Sequence, residues 1–176
     1  MQVAGKIFSS AGIRIDWRAE TTPSPWGATD VAVVIYPAPL TLKSGGVMGF
    51  IASFEIMRAV VISDHVSNFA GQMNSPVGAI LGAVIAHEIG HLLLPTGNAV
   101  AGIMREHLSY SDVVALLKNR LDFHPEQAAV IRREVARRLN ACTGEPSAVT
   151  AQGLEDRGAH SYQAIQVQAG SVSGSQ

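Results

Sequence analysis

VGAILGAVIAHEIGHLLL, residues 77–94, is an apolar run broken only by His87, Glu88 and His91. Its richness in Ala, Leu and Ile predicts a helix. A helix turns about 100° per residue, so side chains four apart lie one above the other on one face. His87 and His91 can therefore aim both imidazoles at one point, which is what two ligands of a tetrahedral zinc ion require. Glu88 lies one step round the same turn, near enough to reach a water beside such an ion without ligating it. The spacing thus brings two metal ligands and a general base into one turn, a set suited to metal-assisted hydrolysis.

The flanks of the run set its ends. Ser75 is a candidate N-cap with Pro76 at the first helical position, and Leu94-Pro95 stops the helix. Val77, Ile80, Leu81, Val84 and Ile85 supply a buried face. Two imidazoles and a carboxylate in such a helix are costly to bury without a partner, and a metal ion is the simplest partner. The run is nearly long enough to span a bilayer. No second apolar run of similar length accompanies it, and charged residues follow soon after, so it reads as the buried helix of a globular domain with no membrane span.

Upstream, residues 3–10 predict a short amphipathic helix. Ile13, Ile15 and Trp17 alternate with Arg14, Asp16 and Arg18, the period of a strand with one wet face. Residues 31–36 form a continuous apolar, β-branched run, expected to be a strand buried on both faces. Gly45-Gly46 opens a third strand over 47–53, and 58–63 is a fourth, followed by a short helix or loop over 64–72. Downstream, Ser109 is an N-cap with Asp112 three residues on, a capping box, and Val113, Leu116, Leu117 and Leu121 line the inner face of the helix it starts. His124-Pro125 opens the last helix, with Ala128, Ile131, Val135 and Leu139 as its core stripe and Arg137 and Arg138 at its C-terminal end. From residue 143 onward Gly, Ser, Ala and Gln recur without periodicity, as in a disordered tail. The sum is an α+β domain over residues 1–142. A twisted mixed sheet of about four strands packs with the His-Glu helix and C-terminal helices, and a tail of residues 143–176 follows.

The chain has 176 residues, 47% of them apolar and 15% charged, which fits one domain with a large interior. A net charge of −1 gives no electrostatic reason to expect nucleic acid or an anionic membrane as partner. Lys118, Arg120, Arg132, Arg133, Arg137 and Arg138 are interspersed with Glu126 and Glu134, the pattern of a solvated helix face. The single cysteine, Cys142, excludes an internal disulfide and a cysteine-based zinc site. Residues 1–15 show no signal-peptide pattern; the chain opens inside a helix, as if cut from a longer precursor, in which case export is expected, and otherwise a cytoplasmic location.

His87-Glu88-Ile89-Gly90-His91-Leu92-Leu93-Leu94, followed at short range by Gly102-Ile103-Met104, resembles the zincin metallopeptidases, most closely a small metzincin-like bacterial group. Phe123, Pro125, Glu126-Gln127-Ala128, Ile131-Arg132 and Glu134-Val135 are similar to the C-terminal end of that group. The resemblance implies a twisted sheet whose edge strand, here residues 45–53, borders a cleft where a peptide or protein substrate adds by main-chain hydrogen bonds. It implies Zn2+ held by His87 and His91, a zinc-bound water activated by Glu88 as general base, and Met104 packed beneath the site. It also implies an endopeptidase. Tyr110 would then be a candidate for stabilising the oxyanion, beside its plainer place in the first turn of a helix.

Metzincins bring a third His after the second, and the loop Thr96-Gly97-Asn98-Ala99-Val100 contains none. Asn98 falls near the expected third ligand, but a neutral amide is a poor zinc ligand beside imidazole or carboxylate. His107, His65 and Glu106 are the other candidates. The alternative to a peptidase is therefore a catalytically impaired metal-binding or interaction module on the same scaffold.

Overall fold

The chain runs through helix α1 (Gln2–Ser10), strands β1 (Ala32–Tyr36), β2 (Gly49–Ser53) and β3 (Arg58–Ile62), and helices α2 (Ser63–Gln72), α3 (Val77–Leu93), α4 (Tyr110–Leu117) and α5 (Pro125–Cys142). The computed structural model describes residues 2–18, 27, 29–37, 47–95 and 97–142. The expected tail 143–176 and the Gly45-Gly46 strand opening lie outside the described residues. Among the described residues the architecture is a small mixed sheet packed with five helices, an α+β arrangement.

The sheet has three strands among the described residues, in the order β1-β3-β2, rather than about four. The segment 13–17 is the missing strand, and the end of α1 explains why it pairs with nothing described. Gly12 takes a left-handed φ of 77°, Ile13 N–H donates to the Phe8 carbonyl and Gly12 N–H to Ser9, a Schellman closure. This turns the chain back along its own helix, and Trp17 comes to lie against Gly5. Ile13 is buried, and Ile15 and Trp17 pack on the core from that position, so the inward face of the alternation holds without a ladder.

β3 is the buried centre of the sheet, paired parallel with β1 (Val34 opposite Val60) and antiparallel with β2 (Phe50 opposite Val60). β2 is an edge, and its residues alternate between half-buried and exposed. Between Ile51 and Ser53 the register slips, as at a bulge.

α3 packs against α1, α2, α4, α5, β2 and β3. A helix surrounded in this way needs apolar residues all round rather than one stripe. Ile80, Ala83, Ile85, Ala86 and Ile89 are completely inaccessible, and a fully buried Ile contributes about 1.5–3 kcal/mol. The helix start differs from expectation. Pro76 rather than Ser75 is the N-cap, without a side-chain bond, and the Ser75 hydroxyl is buried without a partner. Ser75 is already committed to the end of α2, where its N–H donates to the Ala70 carbonyl beyond a left-handed Asn74.

The Ser109–Asp112 capping box of α4 is present, with Ser109 N–H donating to Asp112 and Asp112 N–H to the Ser109 hydroxyl. Val113, Leu116 and Leu121 are buried as expected, whereas Leu117 is exposed because α4 turns it away from the core. On α5, Arg137 and Arg138 lie before the last turn and both donate to Glu134. Arg138 also donates to the Leu92 carbonyl at the end of α3, and Arg132 to the Ala11 carbonyl beyond α1. Two of the basic residues thus satisfy open carbonyls at the ends of other helices.

α1 packs tightly on α3 at Gly82, where a Cβ would lie 2.6 Å from Val3 Cβ. Gly82→Ala is expected to destabilise the protein by about 1–3 kcal/mol through this clash, although alanine favours a helix. Gly78→Ala, at a position open to solvent, is expected to stabilise it by up to about 1 kcal/mol. Denaturant melts of the two variants check this pair of opposite signs, and a stabilising Gly82→Ala contradicts the described contact.

Candidate functional site

The site forms where α3, the loop after it and β2 meet. His87 and His91, one helical turn apart, point their Nε2 atoms at each other across 2.9 Å, with the rings edge to face at 4.5 Å between centroids. His87 Nδ1 lies 2.8 Å from the Ile103 carbonyl oxygen. With Nδ1–H donating to that carbonyl, the His87 Nε2 lone pair is left facing His91. This is the backing by which proteins fix the tautomer of a metal-ligating histidine.

The carbonyl is itself held in place. Ile103 N–H donates to the Asp122 carbonyl, Arg105 N–H to Gly102, and Ala99 N–H to Met104. Gly102 has a φ of 76°, and a Cβ there would come within 2.9 Å of the Asp122 oxygen, so the turn requires glycine. Met104 is fully buried and packs on Gly90 of α3, where a Cβ would stand 2.4 Å from its sulfur. The Gly-Ile-Met segment thus meets α3 twice, once through a hydrogen bond and once through packing.

Glu88 is 5% exposed and faces β2, where a Cβ on Gly49 would fall 2.6 Å from Glu88 Oε1. Burial pushes the Glu88 carboxyl up to about 7. Burial also lowers His87, assisted by repulsion from His91 and opposed by the Ile103 bond, and it lowers His91, opposed by a hydrogen bond that the Asn98 side chain accepts. The imidazoles are thereby held in their neutral form, the form that binds a metal.

The three residues open onto a groove of about 490 Å³, walled by Val47–Ile51 on one side and by Asn98 and residues 105–108 on the other. A second cavity of about 600 Å³ continues past His91 and Phe54, lined by Leu92–Leu94, Pro95 and Val130, with Arg133 and Arg137 also lining it. The groove therefore runs along the β2 edge, over the histidine pair and towards α5.

The candidates for a third ligand separate clearly. Asn98 lines the groove and bonds to His91. Glu106 and His107 also line it, but both side chains are mostly exposed and stand 3.8 Å from each other. His65, on α2, turns its Nδ1 to the Val47 carbonyl. Tyr110 is the first residue of α4 and is exposed. Among the described residues no group of three His, Cys, Asp or Glu side chains is placed to hold a metal ion. The histidine pair nonetheless suits one. Two nitrogens at tetrahedral zinc distances stand roughly 3.4 Å apart, so a small opening of the pair would admit the ion.

Gly49 and Gly90 are site residues that the motif alone does not reveal. Their signal is a glycine inside a strand and one inside a helix, each unfavourable unless something must come close.

The raised Glu88 carboxyl has a stability consequence in metal-free protein. The fold holds a proton that the unfolded chain releases above its ordinary value of 4.5. Stability contributed by this group therefore falls as pH rises from about 4.5 to 7 and is level above. Glu88→Gln, measured by denaturation in chelator, is expected to stabilise the protein at pH 8 by about 2 kcal/mol and to change it little at pH 4. An equal effect at both pH values would contradict the burial described.

The chain matches no protein-family model, no curated protein and no solved structure, and the geometry of the site is what bears on its function.

Proposed function

We propose that this chain is a zinc-dependent peptidase of zincin type, an endopeptidase that hydrolyses peptide bonds in the groove beside β2. The observation that carries the reading is the pair of His87 and His91 Nε2 atoms converging beside a buried Glu88, with His87 backed by the Ile103 carbonyl. His87 and His91 would hold Zn2+. The chemistry supplied on binding is Lewis acidity, which acidifies a water and polarises a carbonyl. Glu88 takes the proton of the attacking water and delivers it to the leaving amine, acting first as base and then as acid. A carboxyl tuned to about 7 by burial is suited to both roles near neutral pH.

The free edge of β2 supports a peptide substrate. Among the described residues nothing pairs with that edge, which lies along the groove, and an extended peptide adds to such an edge by hydrogen bonds. Gly49 leaves room there for the Glu88 carboxylate. The apolar lining from Leu92 to Pro95 favours an apolar substrate side chain beyond His91. Among the described residues no helix is long and apolar enough to cross a membrane.

A second reading, a metal-binding or interaction module on this scaffold without hydrolysis, is favoured by the neutral Asn98 amide standing against His91. One experiment separates the two. Zinc-loaded wild type and Glu88→Gln are incubated with an unstructured protein and a peptide mixture, and cleavage and bound zinc are both measured. The peptidase reading expects cleavage by wild type and a loss of roughly 10²–10⁴-fold in Glu88→Gln with zinc retained. Undiminished cleavage by the variant removes the mechanism, and zinc without cleavage in wild type selects the second reading.

A further inference from the structure

The cavity of about 600 Å³ beyond His91 has two kinds of wall. One is apolar: Leu92, Leu93 and Leu94 are buried at the end of α3, and Phe54, exposed in the turn after β2, lines both this cavity and the groove. The other is a stripe of α5. Val130, Arg133, Glu134 and Arg137 recur at the spacing of one helix face, beside the buried stripe of Ala128, Ile131 and Val135. The carboxylate of that stripe is already committed. Glu134 accepts two bonds of 2.8 Å from Arg137 and one of 2.7 Å from Arg138. The Arg137 bonds, opposed by burial and assisted by Arg138, hold this carboxyl down at about 2, so it stays ionised and paired. Arg138 also donates to the Leu92 carbonyl, 3.3 Å away. Arg133 is exposed and makes no hydrogen bond or ion pair among the described residues. Two guanidiniums thus share one carboxylate, a third has none, and the α5 wall carries a surplus of positive charge.

We infer that this cavity binds an acidic peptide segment, taking an apolar side chain against Phe54 and the Leu92–Leu94 wall and a neighbouring Asp or Glu side chain on Arg133. That the segment is a substrate rests on the peptidase reading above; the binding preference itself needs neither metal nor cleavage. Arg133 is then a specificity-determining residue. A guanidinium presents a fork of donors matched to a carboxylate, and one without a carboxylate of its own breaks no existing pair when it takes up another. The same surplus of charge repels a segment carrying lysine. His91 and Phe54 line both the groove and the cavity, so a peptide laid along the β2 edge runs on into the cavity. Residues within the peptide, rather than its terminal carboxylate, therefore meet Arg133.

The test is fluorescence anisotropy of labelled, end-blocked peptides on the full chain in chelator. The peptides differ only in whether one leucine is followed by glutamate, glutamine or lysine. Wild type at low salt is expected to bind the glutamate peptide at least about threefold more tightly than the glutamine one, and the lysine peptide most weakly. Arg133→Gln is expected to abolish the preference. Arg120→Gln, an equal change in net charge at an exposed position outside both cavities, is expected to keep it. Phe54→Ala is expected to weaken the glutamate and glutamine peptides alike and leave their ratio unchanged. No binding, equal affinity for those two peptides in wild type, or the same loss of preference in Arg120→Gln as in Arg133→Gln overturns the assignment. A peptide ending in a free leucine carboxylate that binds more tightly than the glutamate peptide overturns it as well. Cleavage of the glutamate peptide by zinc-loaded wild type is followed separately. Preference without cleavage removes the peptidase reading and leaves the site, whereas cleavage without preference removes the site and leaves the reading.

Discussion

The hydrogen bond from His87 Nδ1 to the Ile103 carbonyl is the contact on which the rest of the site depends. It joins a residue in the middle of α3 to a loop that begins after the helix has ended. The loop can present that carbonyl because Gly102 turns it, Asp122 accepts the Ile103 N–H, and Met104 is sunk against Gly90. With Nδ1 committed, the remaining nitrogen of His87 faces His91, and two imidazoles that would otherwise sit in an apolar helix as unpaired polar groups share one point. A buried polar group without a partner costs about 1–3 kcal/mol, so this arrangement also removes a liability from the core. Packing and chemistry are here the same constraint.

Much of the architecture was legible from local chemistry. The capping box at Ser109 and Asp112 and the Pro125 start each satisfy a helix end with residues adjacent in sequence, and the structure has helices there. Among the described residues the edge position of β2 also agrees with the expectation for residues 45–53. What failed depends on how a segment folds against the helix just before it. The alternation of Ile13, Ile15 and Trp17 gives which side faces inward, but not whether a strand or a helix lies beneath. It packs back over α1 instead of joining the sheet. Ser75 has the right chemistry for an N-cap, yet its backbone is taken by the end of α2.

The site divides in the same way. A four-residue spacing within a helix fixes the mutual placement of His87 and His91 with Glu88 between them, since helix geometry requires nothing else. Which strand borders the carboxylate, and which loop residue reaches His91, depend on how the sheet and the 97–105 loop fold over α3. Gly49 therefore emerges only from the folded chain. The basic residues of α5 make the complementary point. Read along the sequence they suggest a solvated face, but Arg132 and Arg138 reach across to the carbonyl ends of α1 and α3 and tie α5 to both helices.

The central claim is that His87 and His91 together ligate a metal ion. X-ray absorption at the zinc edge, on protein loaded with one equivalent and passed through gel filtration, tests it most directly. The account predicts retained zinc whose scattering pattern contains two imidazoles, both lost when His87 and His91 are replaced by alanine. Zinc that does not survive filtration at any loading, or a ligand pattern unchanged by that double replacement, would contradict it.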